Sequence, residues 1–176
     1  VRIAQGFADA FERLMHATDA SGDTAFEFLA RTLQGGTALD VVGHSLGGAM
    51  APIVAIAAQR FFARTKVRAF PFGGQTPGNG AFARWYVESF PDQPSRWIND
   101  IDIIPMWYGD LDEMTKLYGP TNPCPEYIKL LVLTITNRHE YVPLPGAHRY
   151  LGVQYRTPGS KWFAWEQEAG QQHEHL

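Results

Sequence analysis

Ser45 lies in the segment of the sequence best suited to chemistry, Gly43-His-Ser-Leu-Gly47. The pattern Gly-x-Ser-x-Gly is typical of a sharp strand-to-helix turn that strains the serine backbone and exposes its Oγ. Glycines are expected on both sides, because side chains there would collide with the turn and the neighbouring strand. The Leu46 N–H is placed to stabilise negative charge on a substrate oxygen. The segment predicts a serine nucleophile, and the alternative is a glycine-rich turn with an incidental serine.

Alternating strand and helix patterns surround this segment. Short apolar runs with β-branched residues predict strands at 38–42, 67–72 and 96–99. Apolar spacing predicts helices at 1–17, at 23–33, from the glycine turn to about 63, and at 81–90. This alternation indicates a parallel α/β sheet with flanking helices, in a single domain over residues 1–176.

The pattern loosens beyond Pro105, where prolines and glycines surround a hydrophobic run at 128–135. We interpret this part as an insertion over one edge of the sheet. Within it we expect 130–135 to form a buried strand, with a lipid-facing cap as the alternative. Three aromatic residues near the last predicted strand are expected in the core rather than in an acyl-binding groove: Trp97, Trp107 and Tyr108.

Composition and charge exclude several classes of protein. Fifteen Lys and Arg against 18 Asp and Glu give a net charge of −3, and no basic run is suited to nucleic acid. With 45% hydrophobic and 19% charged residues, the composition is that of a folded domain. The longest nearly uncharged stretch, 46–58, is too short to span a bilayer. The single cysteine, Cys124, excludes an intrachain disulfide and a cysteine-rich zinc site.

Four segments resemble the class 3 lipase family in content and order. Val-Gly-His-Ser-Leu-Gly-Gly-Ala at 42–49 is similar to the family's serine signature, and Gly-Phe-Ala-Asp-Ala at 6–10 to the helix that follows its lid. Phe-Gly-Gly-Gln-Thr-Pro-Gly-Asn at 72–79 and Asn-Asp-Ile-Asp-Ile-Ile-Pro at 99–105 resemble two further conserved blocks of the family. The resemblance covers about residues 4–107 and is closest to bacterial members. It implies an α/β-hydrolase fold and cleavage of ester bonds in acylglycerols and related lipids.

An acid that orients the catalytic histidine is expected after Ser45 and before the histidine, which is the order in α/β hydrolases. Asp102 fits best, because it follows the predicted strand 96–99 at the carboxyl end, where catalytic groups gather. In the resembling family the catalytic aspartate stands at this place, directly before two aliphatic residues and a proline. Asp100 is the rival, and a loop that both residues merely cap is a further alternative.

The histidine that takes the serine proton must follow the acid. Four histidines do so: His139, His148, His173 and His175. The tail Glu-Ala-Gly-Gln-Gln-His at 168–173 resembles the Glu-Ala-x-x-Gln-His tail of bacterial members, whose histidine is catalytic. The resemblance therefore implies His173 as the base, with His148 and His175 as alternatives. His44, which precedes the acid, is expected to point away from Ser45.

The function implied is that of a triacylglycerol lipase or esterase with the triad Ser45, Asp102 and His173 and the Leu46 N–H as oxyanion donor. No metal and no organic cofactor are expected. The expected partner is a lipid or other ester substrate, with contact to a lipid interface as an option. A phospholipase A1, a feruloyl-type esterase, an acyltransferase and a catalytically silent binding protein are the alternatives. The family's early strands, lid and second oxyanion donor would precede Val1, so we expect an excerpt of a larger protein, exported by resemblance alone.

Overall fold

A computed structural model of the protein describes residues 1–33, 37–119, 123–136, 140–150 and 164–174. Within these ranges the helices are α1 (Gln5–His16), α2 (Ala25–Thr32), α3 (Leu46–Phe61), α4 (Gly80–Ser89), α5 (Leu111–Lys116), α6 (Glu126–Thr136) and α7 (Ala164–Glu174). The strands are β1 (Ala38–His44), β2 (Lys66–Phe72), β3 (Trp97–Asn99) and β4 (His148–Tyr150). One turn of 3₁₀ helix covers Ile104–Met106.

The described strands form one sheet in the order β1-β2-β3-β4, and each neighbouring pair is parallel. β1 and β2 pair along their full length, from Ala38 opposite Lys66 to His44 opposite Phe72. The pairings of β2 with β3 and of β3 with β4 are shorter. The predicted parallel α/β sheet is confirmed. Because the strands are parallel, their carboxyl ends, including His44 and Asn99, lie at the same edge of the sheet.

Helix α3 packs closely against β1 and β2 because most of its buried residues are small. These are Gly48, Ala49, Ala51, Ala55 and Ala58. A Cβ atom added at Gly48 would lie 2.4 Å from the carbonyl oxygen of Phe72 in β2. Glycine is therefore required where helix and strand touch. The helix continues through Pro52 and ends at Phe61, close to its predicted end.

Two clusters of buried apolar side chains hold the described elements together. The main core joins α1, α3, α4 and β2 and includes Phe7, Phe82 and Tyr86. The second core lies beside the loop that follows β3 and joins this loop to α5, α6 and α7. Its buried members are Ile103, Met114, Tyr118, Cys124, Val132, Trp165 and Ala169. The second core therefore fixes α7, which carries His173, against the loop that carries Asp102.

The run predicted as a strand at 130–135 belongs to helix α6, so that prediction is wrong. Val132 is buried in the second core, whereas Tyr127, Leu130 and Leu131 are each more than half exposed. A continuous apolar run contains no alternation that would distinguish a strand from a helix. The run contains three leucines, which favour helices, and their propensity agrees with the helix α6.

Candidate active site

The turn at Ser45 has the strained backbone that its sequence predicts. Ser45 adopts φ 56° and ψ −119°, a conformation that a residue with a side chain rarely takes. Its N–H donates to the carbonyl oxygen of Phe72 at 3.0 Å, and its own carbonyl accepts from the N–H of Ala49 at 3.0 Å. The Ser45 side chain does not cap α3. The main chain therefore fixes the turn, and the hydroxyl is left for other partners.

The two glycines that flank Ser45 have different roles. A Cβ atom at Gly43 would lie 2.1 Å from the carbonyl oxygen of Gly47, so a side chain cannot fit there without moving the start of α3. A Cβ atom at Gly47 would meet no other atom within 4 Å. The predicted collision is thus confirmed at Gly43 and is wrong at Gly47. The close contact with the neighbouring strand is made one residue later, at Gly48.

Asp102 is fully buried in the loop that follows β3. Its N–H donates to the carbonyl oxygen of Asn99 at 3.0 Å, and its Oδ1 accepts from the N–H of Ile104 at 2.9 Å. Its Oδ2 lies 2.8 Å from Nδ1 of His173. A buried carboxylate with a main-chain donor on one oxygen and an imidazole on the other is held in one orientation.

His173 lies in the last turn of α7, and 17% of its side chain is exposed. Because the Asp102 carboxylate accepts at Nδ1, that nitrogen carries a proton, and in the neutral imidazole Nε2 has the free lone pair. Nε2 is buried and makes no hydrogen bond within the described part of the chain, so the bond to Ser45 is not formed in this structure. Such catalytic bonds often tighten only when substrate is bound.

His44 lies next to His173 although it is far from it in sequence. The two imidazole rings are stacked, with centroids 4.7 Å apart and planes inclined by 26°. His44 is the last residue of β1 and directly precedes Ser45. Its place before the acid in the chain gives no signal for this contact, because the contact depends on where α7 returns to the sheet.

A buried polar network connects the loop that carries Asp102, here called the acid loop, to α7. Sequence reasoning missed this network. Asn99 at the end of β3 donates from Nδ2 to Oε1 of Gln172 at 3.0 Å and to the Gln172 carbonyl oxygen at 3.3 Å. Gln172 in turn donates from Nε2 to Oε1 of Glu168 at 2.9 Å. The side chains of all three residues are almost completely buried. The four-residue spacing of Glu168 and Gln172 was a signal for a shared helix face, but nothing in the sequence indicates Asn99 as their partner.

The rival residues lie in other surroundings. Asp100 forms an ion pair with Arg149 at 2.8 Å, and about a third of its side chain is exposed. His148 begins β4 opposite Trp97, at the amino end of β3, whereas the loop with Asp102 follows the carboxyl end. His139 and His175 lie outside the described residues. Of the candidates, the structure brings Asp102 and His173 together.

A cleft of about 780 Å³ opens beside the serine turn. Leu46, the residue after the serine, forms part of its wall and is 54% exposed. Tyr108 and Tyr141 line another wall, with stacked rings whose centroids are 5.2 Å apart. Tyr108, expected in the core, therefore lies in the cleft wall. Two aromatic residues pack elsewhere, Trp107 beside the second core and Trp97 against Phe70 and Phe72.

Residues 1–111 of the sequence match a family model described as Lipase (class 3). The chain belongs to the class 3 lipase family. This membership agrees with the strained serine turn and with the order of the four segments that carry the resemblance.

Solved lipase structures are similar to this chain. M37 lipase has a TM-score of 0.81 and 20% sequence identity, over 97% of this chain and 55% of that chain. Lipase II from Rhizopus niveus has 25% identity, a TM-score of 0.47 and coverage of 59% and 38%. The lipase from Rhizopus microsporus var. chinensis has 21% identity, a TM-score of 0.46 and coverage of 59% and 35%. No curated protein matches the chain.

The likeness to M37 lipase shows the α/β-hydrolase fold. The chain spans about half the length of that protein. In the part of the chain that the structure describes, none of the helices is long and apolar enough to cross a membrane. No three potential metal ligands cluster among the same residues.

Two side chains hold the loop that carries Asp102, each by a hydrogen bond to one of its carbonyl oxygens. Burial lowers the pKa of Arg96 to about 10, and its guanidinium donates to the carbonyl oxygen of Pro105 at 2.9 Å. The hydroxyl of Tyr118 donates to the carbonyl oxygen of Ile101. Burial raises the pKa of Tyr118, and the nearby charge of Asp102 adds to this effect, so the phenol remains a donor. The loop is therefore fixed on both sides of Asp102.

Proposed function

We propose that this class 3 lipase hydrolyses carboxylic ester bonds of lipids with a triad of Ser45, Asp102 and His173. The observation that carries the proposal is the 2.8 Å contact between the buried Asp102 carboxylate and Nδ1 of His173. The strained turn at Ser45 supports the proposal. A serine at positive φ raises the conformational free energy of the folded chain, and a merely structural role does not explain this strain. We further propose that residues 1–176 belong to a single α/β-hydrolase domain.

His173 acts as the base in this proposal. Asp102 holds the imidazole with its proton on Nδ1, so that Nε2 can accept the proton of the Ser45 hydroxyl. Ser45 Oγ then forms a bond to the ester carbonyl carbon. The protonated His173 donates the same proton to the leaving alcohol as the C–O bond breaks. Water, deprotonated by His173, attacks the acyl carbon, and the proton passes from His173 to Ser45 Oγ as the C–Oγ bond breaks and the acid is released.

The Leu46 N–H stabilises the oxyanion of the tetrahedral intermediate. Leu46 is the first residue of α3, so its N–H is one of the helix-start donors without an intrahelical acceptor. The positive end of the helix dipole adds to its effect. Donors of this kind typically contribute about 3–4 kcal/mol to the transition state.

The cleft beside Leu46 supports a lipid ester as substrate. It is lined by Leu46, the proposed oxyanion donor, and by the stacked rings of Tyr108 and Tyr141, which offer apolar area to an acyl chain. We propose a triacylglycerol lipase or esterase. A phospholipase A1 or a feruloyl-type esterase would use the same triad. Turnover of short-chain and long-chain nitrophenyl esters, triolein, a diacyl phospholipid and a feruloyl ester distinguishes them.

Replacement of the nucleophile tests the proposed reaction. In the full-length protein, Ser45→Ala is expected to lower kcat for a nitrophenyl ester by at least about four orders of magnitude. Ser21→Ala, at an exposed turn between α1 and α2, is the matched control and should retain wild-type turnover. Wild-type turnover in Ser45→Ala would show that another group performs the hydrolysis.

A further inference from the structure

We propose that His44 is a positioning residue, whose ring supports the face of the His173 imidazole and sets its position relative to Ser45. This inference rests on the proposed function. It concerns a histidine that forms no part of the proposed triad. The observation is the stacking of the two rings, with centroids 4.7 Å apart and planes inclined by 26°.

The hydrogen bond to Asp102 alone does not fix the plane of the His173 ring. It holds the ring at Nδ1, and together with the covalent bond to Cβ it leaves the ring able to tilt by small changes in χ1 and χ2. Such a tilt moves Nε2, the atom that must reach the serine proton. Contact with a flat ring on one face opposes this tilt. His44 therefore supplies a restraint that the carboxylate cannot supply.

The place of His173 in its helix makes such a restraint useful. His173 stands in the last turn of α7, which is described as far as Glu174. The Asn99–Gln172 bonds anchor the backbone one residue before His173. They do not touch the imidazole, which is contacted by Asp102 and His44.

His44 is also held in a fixed position relative to the nucleophile, so its ring can set the position of His173 relative to Ser45. It ends β1, in register with Phe72 of β2, and it is covalently joined to Ser45. The Ser45 N–H is bonded to the carbonyl oxygen of the same Phe72. The supporting ring and the nucleophile thus share one rigid strand end. A shift of about 1 Å in a reacting group can cost about a hundredfold in rate.

Three substitutions at His44 in the full-length protein distinguish the effect of a stacked ring from the effect of side-chain volume alone. His44→Phe keeps a flat ring, His44→Leu keeps volume without one, and His44→Ala removes both. We expect His44→Ala and His44→Leu to lower kcat for a soluble short-chain ester about 10–100-fold, with KM changed less than about threefold. His44→Phe should recover most of the lost kcat. The rate of Ser45 labelling by a fluorophosphonate should follow the same order.

His16→Ala is the matched control, because His16 is an exposed histidine at the end of α1 and should leave kcat unchanged. Thermal unfolding of each variant separates stability from positioning, and if His44→Ala does not fold, the contrast of Phe with Leu decides. Wild-type kcat in a folded His44→Ala or His44→Leu would overturn the inference, as would a folded His44→Phe no better than His44→Leu. If Ser45→Ala kept its turnover, the proposed function would fail instead, whatever the His44 variants did.

Discussion

The nucleophile turn and the acid–base pair are held in position by different means. Main-chain hydrogen bonds and tight backbone packing around Gly43 and Gly48 fix Ser45 between β1 and α3. Side-chain hydrogen bonds and the second core fix Asp102 and His173, which are 71 positions apart in sequence. The first region tolerates no added atoms at Gly43 or Gly48. The second depends on a few specific polar side chains, so the two regions should respond differently to substitution.

The largest expected loss of kcat follows from a substitution in the acid–base pair. Asp102→Asn should lower kcat by about a thousandfold to ten-thousandfold, because the amide can hold the wrong imidazole tautomer. Steady-state hydrolysis of a nitrophenyl ester measures this. Asp100→Asn is the matched control, since it breaks only the surface ion pair with Arg149, a contact worth about 0–1 kcal/mol. The opposite pattern in the two variants would assign the acid to Asp100.

The next largest effect is a loss of stability caused by a substitution in the nucleophile turn. Gly43→Ala should lower the free energy of unfolding by about 3 kcal/mol or more, because the new methyl group meets the carbonyl oxygen of Gly47. Gly47→Ala makes the same chemical change where there is space, and should change stability by at most about 1 kcal/mol, in the stabilising direction. Urea denaturation of both variants tests the difference. Equal destabilisation by the two would contradict the steric account of this turn.

The polar network of the second region gives a smaller effect. Asn99→Ala removes the amide that donates to Oε1 of the buried Gln172 side chain, and should cost about 1–3 kcal/mol of stability and about tenfold in kcat. Gln172→Ala should have a similar effect. In the double variant the two losses should not add, because the residues share their hydrogen bonds. Additive losses in a double-mutant cycle would mean that the network does not connect the acid loop to α7.

The smallest effect concerns the second core. Val132→Ala removes two buried methyl groups and should cost about 1–2.5 kcal/mol. Leu131→Ala, one residue earlier and 52% exposed, should change stability by about 0.5 kcal/mol at most. Thermal or urea unfolding compares the two. If Leu131→Ala were the more costly, the exposed side of α6 would have to be covered in the folded protein.

The difference between the two regions also explains what the sequence could predict. The turn at Ser45 and the strands before and after α3 follow from local signals, namely glycines, β-branched runs and small residues at close spacing. The second region depends on contacts between distant segments, such as that of Asn99 with Gln172, 73 positions away. Resemblance to a family suggested His173, but no local pattern predicted that His44 would stack on it. The apolar run in α6 has neither helical nor strand periodicity, so the sequence does not distinguish this helix from a strand.

Covalent labelling tests most directly whether His173 activates Ser45. The full-length protein and its His173→Ala variant are treated with a fluorophosphonate, and the labelled peptide is identified by mass spectrometry. The account predicts a single label on Ser45 in the wild type and labelling at least about a hundredfold slower in His173→Ala. A label on another residue, or equally fast labelling of Ser45 in the variant, would contradict it.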